Sequence, residues 1–223
     1  MKKVLIFIFL LAIAQSGLWA QLSPYQAYLP LYQEAIELFE IGKYGAAAKR
    51  LDAFLAFEED LRAKEENDLH ANARYLQAVS AYKLEREDAI ELLDKFIREF
   101  PENTKTALAQ YYLGKYYFSQ RQYPQAVAPF QAAVQSSALN TDIFDEVVYL
   151  LGYAYFEAKN YPHALRYFDM AAKKETPYRV NAQYYRAILH YKIKSYEEAY
   201  TAFQALKDSK KYSRETRVYL ANT

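Results

Sequence analysis

Tyr111-Tyr112-Leu113-Gly114-Lys115-Tyr116-Tyr117, followed by Tyr123-Pro124-Gln125-Ala126 and Phe130, is the stretch that decides how this 223-residue chain is read. It returns as Leu150-Leu151-Gly152-Tyr153-Ala154-Tyr155, Tyr161-Pro162-His163-Ala164 and Phe168. Such self-similarity marks one supersecondary unit stacked on copies of itself. With the later alanine as a ruler, the register runs Ala47, Ala89, Ala126, Ala164, Ala199, at spacings of 42, 37, 38 and 35 residues. Gly114 and Ala126, or Gly152 and Ala164, let two helix backbones approach. Leu113, Tyr117, Phe130 and Ala133 fill the space beside them, as Leu151, Tyr155, Phe168 and Ala171 do one copy later. Pro124 and Pro162 mark helix starts, where a fixed φ fits and the missing N–H would be unpaired anyway. Pro129 falls inside a second helix and predicts a local kink there.

These residues resemble the tetratricopeptide repeat, a helix-turn-helix of about 34 residues with a Leu-Gly pair, a following Tyr, and a spaced Ala and Phe. The resemblance implies an all-α fold, a right-handed superhelical solenoid of antiparallel helix pairs. About five repeats are expected, near 28–61, 70–103, 107–140, 145–178 and 180–213, with 214–223 starting a sixth or capping the stack. The first and fifth are poorer copies: Leu38 and His190 stand where the motif prefers Tyr. The chain stops after the first helix of that sixth copy, which fits either a solvating cap or a piece of a longer array. The charged run Glu58 to Glu66, mixed in sign, reads as the solvated end of a long helix.

Met1-Lys2-Lys3, the apolar run Val4 to Ala14 and the small residue at Ala20 have the order of a secretory signal peptide. Residues 1–20 are expected to be removed after Ala20, with Ala14 as a competing site, leaving 21–223 as the helical domain. The run is short for a bilayer span, which needs about 20 residues, although an uncleaved segment to Trp19 would serve as an anchor. Export to the periplasm or the outer membrane follows as an expectation, with no membrane span after cleavage. There is no cysteine, so disulfides and thiolate metal sites are excluded. Removing Lys2 and Lys3 from 28 basic residues leaves one fewer basic than acidic side chain, of which there are 27. That balance gives no global electrostatic footprint for nucleic acid. With 52% apolar residues and five glycines, the chain can bury a linear core shared between neighbouring repeats.

On each first helix an aromatic lies three residues before the small residue and another four after it: Tyr32 and Phe39, Tyr75 and Tyr82, Tyr111 and Phe118, Tyr149 and Phe156, Tyr184 and Tyr191. Seven-residue spacing puts each pair on one stripe. In the family, these places face a concave groove where ligands lie. The candidate groove is therefore Tyr32, Tyr75, Tyr82, Tyr111, Lys115, Phe118, Tyr149, Tyr153, Phe156, Tyr184 and Tyr191. Packing between neighbouring first helices is the competing reading of the same stripe. Tyrosine suits an extended peptide, a partner helix or a sugar face, since it joins a large apolar body to a polar tip.

The resemblance also disfavours capture of a terminal carboxylate, which family members perform with Lys and Asn on successive first helices. Here the matching places hold Tyr111 and Lys115, then Tyr149 and Tyr153, and Lys115 reads as a solvated charge. His70, His163 and His190 are dispersed, His163 on a turn, and none has metal-ligand spacing. Neighbouring acids such as Glu197 and Glu198 diverge on a helix. No catalytic constellation and no cofactor are expected. The expected function is a non-catalytic scaffold of the bacterial envelope, similar in type to repeat proteins of the Tol-Pal and outer-membrane assembly systems. Its partner would be a protein or peptide. The alternatives are a glycan-binding accessory of the outer membrane and a self-associating part of a longer array.

Overall fold

The computed structural model describes residues 24–57, 67–209 and 211–221. The signal-peptide reading of 1–20 and the charged run at 58–66 lie outside them. Eleven helices and no strand occur among the described residues. They are α1 (Pro24–Glu40), α2 (Tyr44–Leu55), α3 (Asn67–Lys83), α4 (Ala89–Glu99), α5 (Thr106–Ser119), α6 (Tyr123–Gln135), α7 (Thr141–Glu157), α8 (Tyr161–Ala172), α9 (Arg179–Lys192), α10 (Tyr196–Gln204) and α11 (Ser213–Leu220). The chain divides after Phe96 into two compact bodies. In the first, α1 packs on α2 and α2 on α3; in the second, each of α5 to α10 packs on the helix that follows it, ending at α11. Both bodies are thus stacks of antiparallel helices, with α2 lying between α1 and α3 in the first, and α6, α8 and α10 each lying between their own partner and the next first helix in the second.

The hairpin turns share one device. Gly42, Glu85, Arg121, Lys159 and Lys194 each take a left-handed backbone with φ between 54° and 75°. The next residue's N–H reaches five residues back, Lys43 to Leu38, Arg86 to Ala81, Gln122 to Tyr117, Asn160 to Tyr155 and Ser195 to His190, at 2.8 to 3.0 Å. This 6→1 bond closes the carbonyls that a helix end leaves orphaned. Only Gly42 is the residue that this conformation favours. His163 lies in the first turn of α8 rather than on a turn, because α8 begins two residues earlier at Tyr161. Its ring stacks on Tyr155 at 5.0 Å. α6 runs unbroken past Pro129, which is buried.

The core repeats with the helices. Ala47, Ala89, Ala126, Ala164 and Ala199 are fully or almost fully buried, as are Ala35, Ala78 and Ala187 on the first helices. Gly114 and Gly152 are close-approach positions. A Cβ on Gly114 would lie 2.5 Å from the Phe130 ring, and one on Gly152 would lie 3.1 Å from Phe168. Both rings are fully buried, so the missing methyl is the space the ring occupies.

Candidate functional site

In the first body the stripe aromatics are largely core. Tyr32 is buried against Phe54, with ring centroids 5.0 Å apart, and its hydroxyl accepts from the Asn72 amide. Tyr75 is buried against Phe96 at 5.6 Å. Tyr82 is half-buried, and Phe39 meets Tyr44 edge to face.

The second body assembles its aromatics into a continuous lateral chain. Tyr153 on α7 meets Phe118 on α5 at 5.5 Å and Tyr185 on α9 at 5.1 Å. Phe156 joins the same cluster, 5.3 Å from Tyr185. Tyr191 on α9 meets Tyr219 on α11 edge to face. Along the other end of these helices, Tyr149 stacks on Tyr178 at 5.3 Å, and Tyr184 stacks on Tyr212 at 4.0 Å with planes 5° apart. Asn181 sits between the stacks, accepting from the Tyr212 hydroxyl at 2.9 Å and from the Lys211 ammonium.

Tyr111, on the same stripe, is as buried as Tyr32 and Tyr75 but is held through its hydroxyl by charged partners. Its hydroxyl donates to Glu146 at 2.9 Å, while Lys115 donates to both the Tyr111 oxygen and Glu146. Lys115 is therefore an engaged ion pair and not a solvated charge: one helical turn separates it from Tyr111, and Glu146 reaches both from α7. Burial pushes its ammonium down, yet the bonds to Glu146 and Tyr111 leave it net raised. Burial pushes Tyr111 and Tyr184 up to about 12. Tyr149 and Tyr153 are raised as well, again chiefly by burial. At neutral pH the face thus offers neutral phenols, able to donate and accept, around one fixed cation–carboxylate pair. Beside it, a cleft of about 330 Å³ opens between the start of α7 and the α8–α9 connection, lined by Asp142, Glu146, Thr176 and Tyr178.

Tyr178, Tyr212, Tyr185, Glu146 and Asn181 were not among the sequence candidates. Tyr178 and Tyr212 each stand just before a first helix, 34 residues apart, which is the period of the motif. That spacing was the signal available for them. Glu146 and Asn181 carry no such signal, since a polar residue on an exposed helix start is ordinary.

Among the described residues no cluster of three metal-ligating side chains occurs, and no helix is long and apolar enough to cross a membrane. The tetratricopeptide repeat family profile matches residues 32–104, 85–141 and 149–213, and the chain belongs to that family. Its fold serves as a protein–protein interaction scaffold. Among solved structures the chain is similar to MamA AMB-1, with a TM-score of 0.65 at 18% identity, over 83% of this chain and 92% of that one. MamA from Desulfovibrio magneticus RS-1 gives 0.61 at 16%, over 84% and 96%. A tetratricopeptide repeat protein from Parabacteroides merdae ATCC 43184 gives 0.60 at 17%, over 88% and 72%. At these identities the likeness concerns the fold. No curated protein matches the chain.

Proposed function

We propose that this protein is a non-catalytic adaptor of the bacterial cell envelope that holds an extended peptide or a partner helix on the tyrosine face of its second body. The observation that carries the reading is the pair of stacks, Tyr149 on Tyr178 and Tyr184 on Tyr212, repeated at the motif period beside Asn181. Packing alone requires no hydroxyls, whereas this face keeps its phenols neutral and its rings pre-ordered. Rigid aromatics bind at low entropic cost, so little freedom is lost when a peptide lies across them. Export, read from residues 1–20, supplies the compartment, and the family's concave groove supplies the orientation of the stripe. The fixed Lys115–Glu146 pair sets the polar end of the surface.

Photo-cross-linking in the native host tests this. Benzoylphenylalanine at Tyr149, Tyr153 or Tyr184 is expected to trap a discrete polypeptide in the envelope fraction, whereas the same group at Ala132, exposed on α6, is not. Equal trapping from Ala132, or none from the three face positions in variants that melt like the parent, would remove the proposal. A full-length chain confined to the cytosol would remove the envelope assignment.

A further inference from the structure

The fourth and fifth repeats share one register, with Gly152, Ala164 and Phe168 matched by Ala187, Ala199 and Phe203, each 35 residues on. At that offset Leu151, Tyr155, His163 and Tyr167 are replaced by Arg186, His190, Glu198 and Ala202. In the fourth repeat the slot is filled from within. Tyr155 stacks on Tyr167 at 5.8 Å with planes 10° apart, and also on His163 at 5.0 Å. Arg166 lies 5.9 Å over the Tyr167 ring. In the fifth repeat the slot is a groove of about 510 Å³ lined by Arg186, His190, Glu197, Glu198, Thr201 and Ala202. That lies in the range of pockets that take a ligand group, roughly 300 to 1,000 Å³. Arg186 reaches Asp169 at 3.5 Å through one terminal nitrogen. Its buried Nε and the buried Nδ1 of His190 have no hydrogen-bond partner among the described residues, an uncommon state for buried polar atoms.

We propose that this groove receives a tyrosine side chain of a partner polypeptide, seated where Tyr167 sits one repeat earlier, from a segment rich in Lys or Arg. The ring stacks on His190 as Tyr167 stacks on Tyr155, over the floor that Ala202 leaves open. The Arg186 guanidinium meets the face of the ring, as Arg166 lies over that of Tyr167. Glu197 and Glu198 at the rim accept from the phenol and pair with flanking cations; with Arg186 already facing Asp169, the lining favours a basic visitor. Arg186 is two residues from Tyr184, about 200° around α9, so the groove is separate from the tyrosine face and its test is independent of that reading.

The test is a titration of the full chain, with alanine methyl groups ¹³C-labelled, against the peptides acetyl-Lys-Tyr-Lys-amide, acetyl-Lys-Leu-Lys-amide and acetyl-Glu-Tyr-Glu-amide. The first is expected to move the Ala202 and Ala205 methyl signals upfield by ring current at about millimolar concentration. The leucine peptide should bind about two- to ten-fold more weakly, the scale of an aromatic pair. Ala202→Tyr, which restores the fourth-repeat pattern, should abolish the shift. Glu197→Gln with Glu198→Gln, both exposed and safe for folding, should weaken the first peptide about three- to five-fold. Equal binding of the leucine or the acidic peptide, no shift at millimolar peptide, or an unchanged affinity in the double glutamine variant would each overturn the proposal.

Discussion

The two bodies solve one packing problem in two ways. Four residues after the second-helix alanine, the first body places Leu51 and Leu93; seven residues after it stand Phe54 and Phe96. The second body reverses the order, with Phe130 and Phe168 at the earlier place and Ala133 and Ala171 at the later one. All eight are buried. The small residue on the facing first helix changes with them: Ala35 and Ala78 beside leucine, Gly114 and Gly152 beside phenylalanine. The volume of the layer is kept while the ring moves one turn along the helix. At Gly114 and Gly152 the ring at the earlier place lies so close to the opposite backbone that an added Cβ would meet it at 2.5 Å and 3.1 Å. The fifth repeat is intermediate, with Phe203 facing Ala187 and Leu206 at the later place.

The most severe way to break this comparison is to delete the ring in each body. Phe54→Ala and Phe130→Ala should both cost about 3 to 5 kcal/mol, since each removes a fully buried aromatic. Denaturant melts should show the two losses to be similar; a mild effect at Phe54 would mean that the first body can collapse around the cavity. Next in size, Gly114→Ala should cost about 1 to 3 kcal/mol through overpacking, and more than Gly152→Ala, whose nearest ring atom is 3.1 Å away instead of 2.5 Å. Adding Phe130→Leu with Ala133→Phe should recover most of the Gly114→Ala loss by writing the first body's solution into the second. Additive losses in that triple variant would refute the exchange of ring and methyl.

A third test uses the tyrosines of the second body. Tyr111 and Tyr184 are raised to about 12 by burial, from an ordinary phenol near 10. Between those values the unfolded chain has released protons that the folded one retains, so stability is full below about pH 10 and falls as pH rises toward about 12. Thermal melts should drop over that window, together with a delayed rise of tyrosinate absorbance. Tyr111→Phe with Tyr184→Phe should flatten the drop, and an equally steep drop in that variant would move its cause elsewhere. The smallest expected effect is at a turn: Lys159→Gly should stabilise by about 1 kcal/mol, the cost of a left-handed non-glycine residue. Gly42→Ala should lose a similar amount.

Much of this was legible in the letters because the repeat is local. The small residues, the Leu-Gly pairs and the tyrosine stripe recur within helices, so position along the chain reports position on a face. The engaged state of Lys115 was not legible, because Glu146 comes from another helix. The left-handed turns were hidden as well, since Glu85, Arg121, Lys159 and Lys194 do not advertise that backbone as Gly42 does. His163 sits on α8 and not on the turn, because the helix begins at Tyr161 and Pro162 occupies its first turn.

The amino-acid sequence by itself determined the helical repeat, its register and the face on which the tyrosines lie, since these follow from periodicity within about 34 residues. Tertiary structure alone decided which tyrosines sink into the core, as Tyr32 and Tyr75 do, and which join the lateral chain through Tyr153 and Tyr185. It also decided that the slot filled by Tyr167 in one repeat lies open beside Arg186 and His190 in the next. Those outcomes depend on which side chain arrives from the neighbouring helix, and one element's periodicity carries no information about that.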